Sequence, residues 1–156
     1  MLLFVAITWE FYFILEYILH QLGHKRIDLP ILRNIHEVHI MHHKLYPPNK
    51  LLQKQYQTGD AMWVFIPITL SLFGAAYLVL QWKYFLVFSV EIAALLCASD
   101  YLHTEFHKEG TWLEKYKVFH KMRKTHFHHH THAKKNMALG GIDYSWDKIL
   151  GTYVEC

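Results

Sequence analysis

Residues 62–107 read MWVFIPITLSLFGAAYLVLQWKYFLVFSVEIAALLCASDYLHTEFH. Met62–Leu80 is a run of 19 residues without a charge, and Tyr84–Ala98 is a second apolar run, broken only by Glu91. Crossing a bilayer as a helix takes about 20 residues, with a range of roughly 17–25. The first run fits, and the second fits if it continues through Asp100–Leu102. Only Gln81, Trp82 and Lys83 lie between them, so the pair is expected to form a tight helical hairpin. Working outward, Met1–Leu19 is a third apolar and aromatic run, interrupted by Thr8, Glu10 and Glu16. It has no basic leader and no small-residue cleavage site before His20, which argues against a signal peptide. The alternative is a signal peptide followed by a buried hairpin in a soluble protein. The expected fold is all-α: an integral membrane helical bundle of about three transmembrane helices, two forming the hairpin, with a cytoplasmic histidine-rich helical cap. Residues 1–156 are read as a single domain.

The composition agrees with this reading. The 156 residues are 53% hydrophobic and 19% charged, against about 25% charged in an average soluble domain, which disfavours a disordered chain. Two cysteines, Cys97 and Cys156, cannot build a disulfide framework or a cysteine-rich zinc site. A net charge of +3 is too small to imply nucleic acid as a partner. Of the 16 Lys and Arg residues, six lie in 20–60, nine in 103–156, and only Lys83 elsewhere. Three spans put both basic blocks on one side of the membrane and Lys83 on the other. The positive-inside rule makes the basic side cytoplasmic and the N-terminus non-cytoplasmic. Pro47, Pro48 and Gly59 punctuate the link into the Met62–Leu80 run. Thr111–Phe127 mixes Trp112, Leu113, Tyr116, Phe119 and Phe127 with Lys and Arg, as in a helix lying on a membrane surface or one packed on its own cytosolic domain.

The basic blocks are also the histidine blocks. Six of the 14 histidines lie in His20–His43 and eight in His103–His132. His20 and His24 are spaced i, i+4; His39, His42 and His43 are i, i+3, i+4. His103 with His107, and His126 with His129 and His130, repeat those two patterns after the hairpin. Residues three and four apart share a helix face, so each group can aim its rings at one point. Ten imidazoles suit two six-coordinate ions with positions left open. A lone histidine is usually a satisfied core or surface residue; four groups in a duplicated order are not explained that way. Imidazole suits Fe, Zn, Cu and Ni rather than Mg or Ca. A structural zinc site closes with four ligands, and the Glu-x-x-His pattern of soluble di-iron bundles is absent. His120, His128 and His132 project about 120°, 200° and 240° away from His126 on a continuing helix, which makes them outlying or supporting groups. His36 lies near the face of His39 and His43. Asp100 and Glu16 precede His103 and His20 by one turn and are candidates to orient those rings, because a ligating histidine commonly donates its other N–H to a carboxylate or carbonyl. Glu10 and Glu91 lie deeper in the spans, where acids usually face a bundle or cavity.

HQLGH (20–24), HIMHH (39–43), HTEFH (103–107) and HFHHH (126–130) resemble the histidine boxes of the fatty acid hydroxylase/sterol desaturase superfamily, with the apolar hairpin between boxes two and three. GIDYSWDKILGT (141–152) is similar to that family's closing WD-x-x-x-GT segment. The resemblance implies a membrane oxygenase with two metal ions, normally iron with zinc possible in a purified form, using O₂ and two electrons to hydroxylate or desaturate lipids. It implies one ion on His20, His24, His39, His43 and His129, and the other on His42, His103, His107, His126 and His130. The chain carries no cytochrome b5-like haem domain, so the electrons are expected from a separate protein of cytochrome b5 or ferredoxin type. Many members carry a further span upstream of the point where this chain starts. The competing functions are a histidine-rich membrane metal-binding or transport protein and a zinc hydrolase. Transport ligands are expected at mid-membrane, whereas no histidine lies inside Met62–Leu80 or Tyr84–Ala98. A zinc-water hydrolase needs about three protein ligands and leaves most of the histidines idle.

Overall fold

A computed structural model describes residues 1–57 and 61–156; Gly59 lies outside the described residues. The described chain is helical: α1 (Leu2–Gly23), α2 (Pro30–Leu45), α3 (Ala61–Val79), α4 (Trp82–Phe106), a 3₁₀ turn (Trp112–Lys115), α5 (Lys117–Thr131) and the short α6 (Ser145–Ile149). Two of these, α1 with 22 residues and α4 with 25, are long and apolar enough to cross a membrane. At 1.5 Å per residue they are about 33 and 37 Å long, against a hydrocarbon core of about 30 Å. Helix α3 has 19 residues and contains Pro67. The join between α3 and α4 is tighter than the sequence suggests, because Trp82 and Lys83 already belong to α4.

Helix α1 packs between α2 and α4, and α3 lies against α4. The contact is made by Tyr12, Phe13, Ala76, Phe88, Ile92 and Leu95, which are all buried. Around this seam the helices stay apolar outward: Leu2 is 88% exposed, Leu78 82% and Val90 69%. A helix apolar on its outer face as well as its inner one suits a lipid surround. An apolar groove of about 550 Å³ runs between α1 and α4, lined by Val5, Trp9, Leu86, Val90 and Leu95 among others. Glu91 borders it, and both of its carboxylate oxygens are buried without a hydrogen-bond partner. Glu10 is exposed on α1.

The polar cap is built on the ends of α1 and α4. Thr111–Phe127 is not one helix: Tyr116 is extended (φ −105°, ψ 124°), separating the 3₁₀ turn from α5. Arg123 of α5 is buried and reaches back to the end of α4, donating to the carbonyls of Glu105 (3.1 Å) and Lys108 (3.0 Å) and pairing with Glu114 at 2.8 Å. Beyond α5 the chain forms a strap that descends beside α1. Met137 O lies at His20, Leu139 N donates to Glu16 (3.3 Å), and Asp143 accepts from Trp9 Nε1 (2.9 Å). From His20 to Trp9 is eleven helical residues, about 16 Å of descent. The strap then climbs again through α6, so that Asp147 meets the backbone of Met137 and Ala138.

Candidate metal centre

The histidines stand where helices end. His20 is in the last turn of α1 and His24 is its C-cap; His103 and His107 hold the same places on α4. His39, His42 and His43 lie on the last turns of α2, and His126, His129 and His130 on those of α5. Four helix ends therefore meet, and their rings gather in two adjoining groups.

In the first group one ring nitrogen from each of His20, His24, His39, His43 and His129 lies within 4.8 Å of all the others. His24 Nε2 is 2.8 Å from His39 Nε2 and 3.1 Å from His129 Nε2, and His39 Nε2 is 3.1 Å from His43 Nε2. The second group gathers His42, His107, His126 and His130 in the same way. His42 Nε2 is 3.1 Å from His130 Nε2, and His126 Nε2 is 2.9 Å from His107 Nε2 and 3.1 Å from His130 Nε2. His103 adjoins this group, with its Nε2 3.2 Å from that of His42. The groups touch through His43 and His130, whose ring centres are 4.4 Å apart. Close approach of the helices permits the packing: a Cβ on Gly23 would fall 2.9 Å from His39 Cγ.

Proton placement shows what the groups fit. Four rings contact backbone carbonyls through Nδ1: His20 with Met137 O (2.5 Å), His107 with Leu51 O (2.8 Å), His129 with Lys135 O (2.8 Å) and His130 with Tyr46 O (2.9 Å). A carbonyl only accepts, so each Nδ1 carries the proton and each Nε2 is a bare lone pair aimed into its group. His126 can donate to His107 or to His130 but not to both, and its own Nδ1 has no partner. Lone pairs crowded together in this way call for a cation. The spacing agrees: nitrogens about 2.1 Å from one ion, at right angles, lie about 3.0 Å apart. Burial, reinforced by neighbouring rings, pushes His24 down to about 4, His43 to about 3 and His130 to about 2. Burial likewise holds His39, His42, His126 and His129 well below the ordinary histidine value. At neutral pH these rings are uncharged, the form that binds metal.

A model of the fatty acid hydroxylase family matches residues 2–152. The chain belongs to the fatty acid hydroxylase family. No curated protein and no solved structure matches it.

The supporting groups of this family member differ from those expected. Among the described residues no hydrogen bond joins Glu16 to His20; Glu16 accepts from Tyr12 OH (3.2 Å) and Leu139 N (3.3 Å), while His20 turns its Nδ1 to Met137 O. Asp100 is exposed, and among the described residues no hydrogen bond joins it to His103. His36 Nδ1 lies 2.8 Å from Gly23 O, outside both groups. His128 stacks on His132 with ring centres 4.2 Å apart, and His120 Nε2 lies 2.6 Å from Glu114 O. The work expected of acids is done by backbone carbonyls, which composition cannot reveal. Reading side-chain spacing also missed Asp147 and Asn136, both buried. Asp147 stands in the closing WD-x-x-x-GT segment, the one signal that marks it.

Proposed function

We propose that the chain is an O₂-dependent membrane lipid oxygenase, hydroxylating or desaturating a C–H bond of a fatty acyl or related lipid at a pair of iron ions. The observation that carries this reading is the convergence of nine imidazoles from four helix ends into two touching groups, with His103 adjoining the second and four rings turning a bare Nε2 inward. His20, His24, His39, His43 and His129 would hold one ion, and His42, His103, His107, His126 and His130 the other. An all-imidazole set suits iron, and zinc can take its place in a purified form. When bound, two irons supply the activation of O₂ against an unactivated C–H bond, with two electrons from a separate cytochrome b5- or ferredoxin-like protein.

The chain's own residues bind, orient and shield. The carbonyls of Tyr46, Leu51, Lys135 and Met137 fix four ring orientations. Tyr46 and Phe106, both fully buried, close the second group from behind. His24, His39 and His43 are only half-buried, which leaves the first group nearer the aqueous side and an electron donor. The groove between α1 and α4 offers a lipid chain an apolar path up from the bilayer. Fifteen of the 16 basic residues flank the histidines, which favours a cytoplasmic active site. The position of the rings at helix ends disfavours transport, which needs ligands at mid-membrane.

Lipid analysis of cells expressing the chain tests the proposal. The product is expected to require O₂ and to vanish in His42→Ala and His126→Ala, and the purified chain is expected to carry iron. Protein without any transition metal, or product unchanged in both variants, refutes it; product formed without O₂ points to a hydrolase instead.

A further inference from the structure

We propose that Asp147 is a positioning residue for the first histidine group alone, acting through two peptide planes of the strap, so that its loss releases one ion and spares the other. The inference rests on the two-ion reading above.

The strap faces two ways. A trans peptide is planar, with its C=O and N–H pointing in opposite directions. The peptide joining Met137 to Ala138 turns its oxygen to His20 Nδ1 (2.5 Å) and its N–H to Asp147 Oδ2 (2.9 Å). The peptide joining Lys135 to Asn136 turns its oxygen to His129 Nδ1 (2.8 Å) and its N–H to Thr152 O (3.1 Å). Between these planes, Met137 N donates to Asp147 Oδ1 (2.7 Å), and Thr152 Oγ1 donates to the same oxygen (2.6 Å). Two rings of the first group are thus oriented by carbonyls whose far sides are gripped by one buried carboxylate and the threonine it holds. Asp147 is 1% exposed, and a carboxylate there polarises the Met137 carbonyl and strengthens it as an acceptor for His20.

The second group has no counterpart. His107 and His130 rest on the carbonyls of Leu51 and Tyr46, from a different stretch of chain. The residue after Tyr46 is Pro47, which has no N–H to be gripped. That stretch is held by Gln53, whose Nε2 donates to Leu45 O (2.8 Å) and whose backbone pairs with His107 and Glu109. Asp147 therefore reaches one group and not the other.

Asp147→Asn is the decisive variant, because it keeps shape while turning one acceptor into a donor facing a backbone N–H. The full chain, loaded with ⁵⁷Fe, is to be challenged with a chelator and followed by iron content and Mössbauer spectroscopy. For the wild type two iron signals of equal area are expected. For Asp147→Asn one signal is expected to be lost at a chelator concentration roughly 10–100-fold lower, the usual cost of removing a group that orients a ligand, while the other signal is unmoved. Thr152→Val is expected to act in the same direction and decides the matter if Asp147→Asn does not accumulate. Retention of both ions as in the wild type, or parallel loss of both, overturns the inference; a merely structural role gives the parallel loss. A wild type holding fewer than two ions overturns the two-ion reading itself, and the inference falls with it.

Discussion

Gly140 lies where the descending strap crosses α4, and Gly140→Ala tests whether that crossing holds the metal centre together. A Cβ at this position would lie 2.6 Å from Ser99 Cα and 2.9 Å from Ser99 Cβ and Oγ. Ordinary carbon contacts begin at about 3.5 Å, so about 1 Å of space has to open. Ser99 is inside α4, where the helical ladder fixes the backbone, and the strap must move instead. Overpacking of this kind costs about 1–3 kcal/mol, roughly a 5- to 150-fold shift in the folding equilibrium. Three residues upstream is Met137 O, 2.5 Å from His20 Nδ1, so a displaced strap also loosens the first group. Gly74→Ala is the matched control: its Cβ would meet nothing within 4 Å. Inside α3 that change is expected to stabilise by up to about 1 kcal/mol. Unfolding of the three proteins, followed by circular dichroism in one detergent together with iron content, reads both effects. A Gly140→Ala protein that unfolds at or above the wild-type midpoint with its iron intact refutes the reasoning.

Three further outcomes are expected. Gly23→Ala forces a methyl group against the His39 ring, 2.9 Å from Cγ, and should weaken retention of one ion about 10-fold or more in a chelator titration, with helix content unchanged. Arg123→Leu strips the Glu105 and Lys108 carbonyls of a charged donor; hydrogen bonds of that kind contribute about 1.5–3 kcal/mol each, so a fall of at least about 2 kcal/mol in unfolding free energy is expected, and Arg123→Lys should not restore it because ammonium lacks the planar fork. Removing bound metal should lower stability by about 2.7 kcal/mol relative to protein at 100 times the dissociation constant; a thermal midpoint that ignores chelator would count against a cage of facing lone pairs.

The helical hairpin was readable because a run such as Met62–Leu80 has no charge to interrupt it, but of the three expected spans only α1 and α4 are, among the described residues, long and apolar enough to cross a membrane. Helix α1 was readable for the same reason, although it continues past the apolar run to Gly23 and takes in His20. Spacing also showed which rings share a face, since helical geometry alone decides that. It could not show that rings from α1, α2 and α5 meet, because those contacts span more than 100 residues of sequence, as between His24 and His129, 105 residues apart. Nor could it find the orienting groups. Every residue has a carbonyl, so nothing in the letters distinguishes Met137 or Tyr46 from its neighbours, whereas Asp100 and Glu16 stand out by type and go elsewhere. The break at Tyr116 was hidden because the apolar pattern runs across it.

The strap fixes an order of assembly. Ribosomes deliver α1 to the membrane first, yet the His20 ring gains its carbonyl partner only when Met137 arrives, and that carbonyl is steadied only when Asp147 and Thr152 follow. The His20 ring therefore waits for a carbonyl made 117 residues later. On the two-ion reading, a chain made only as far as α5 would offer an ion at the first group an unfinished nest, because the residues that steady His20 through Met137 come later.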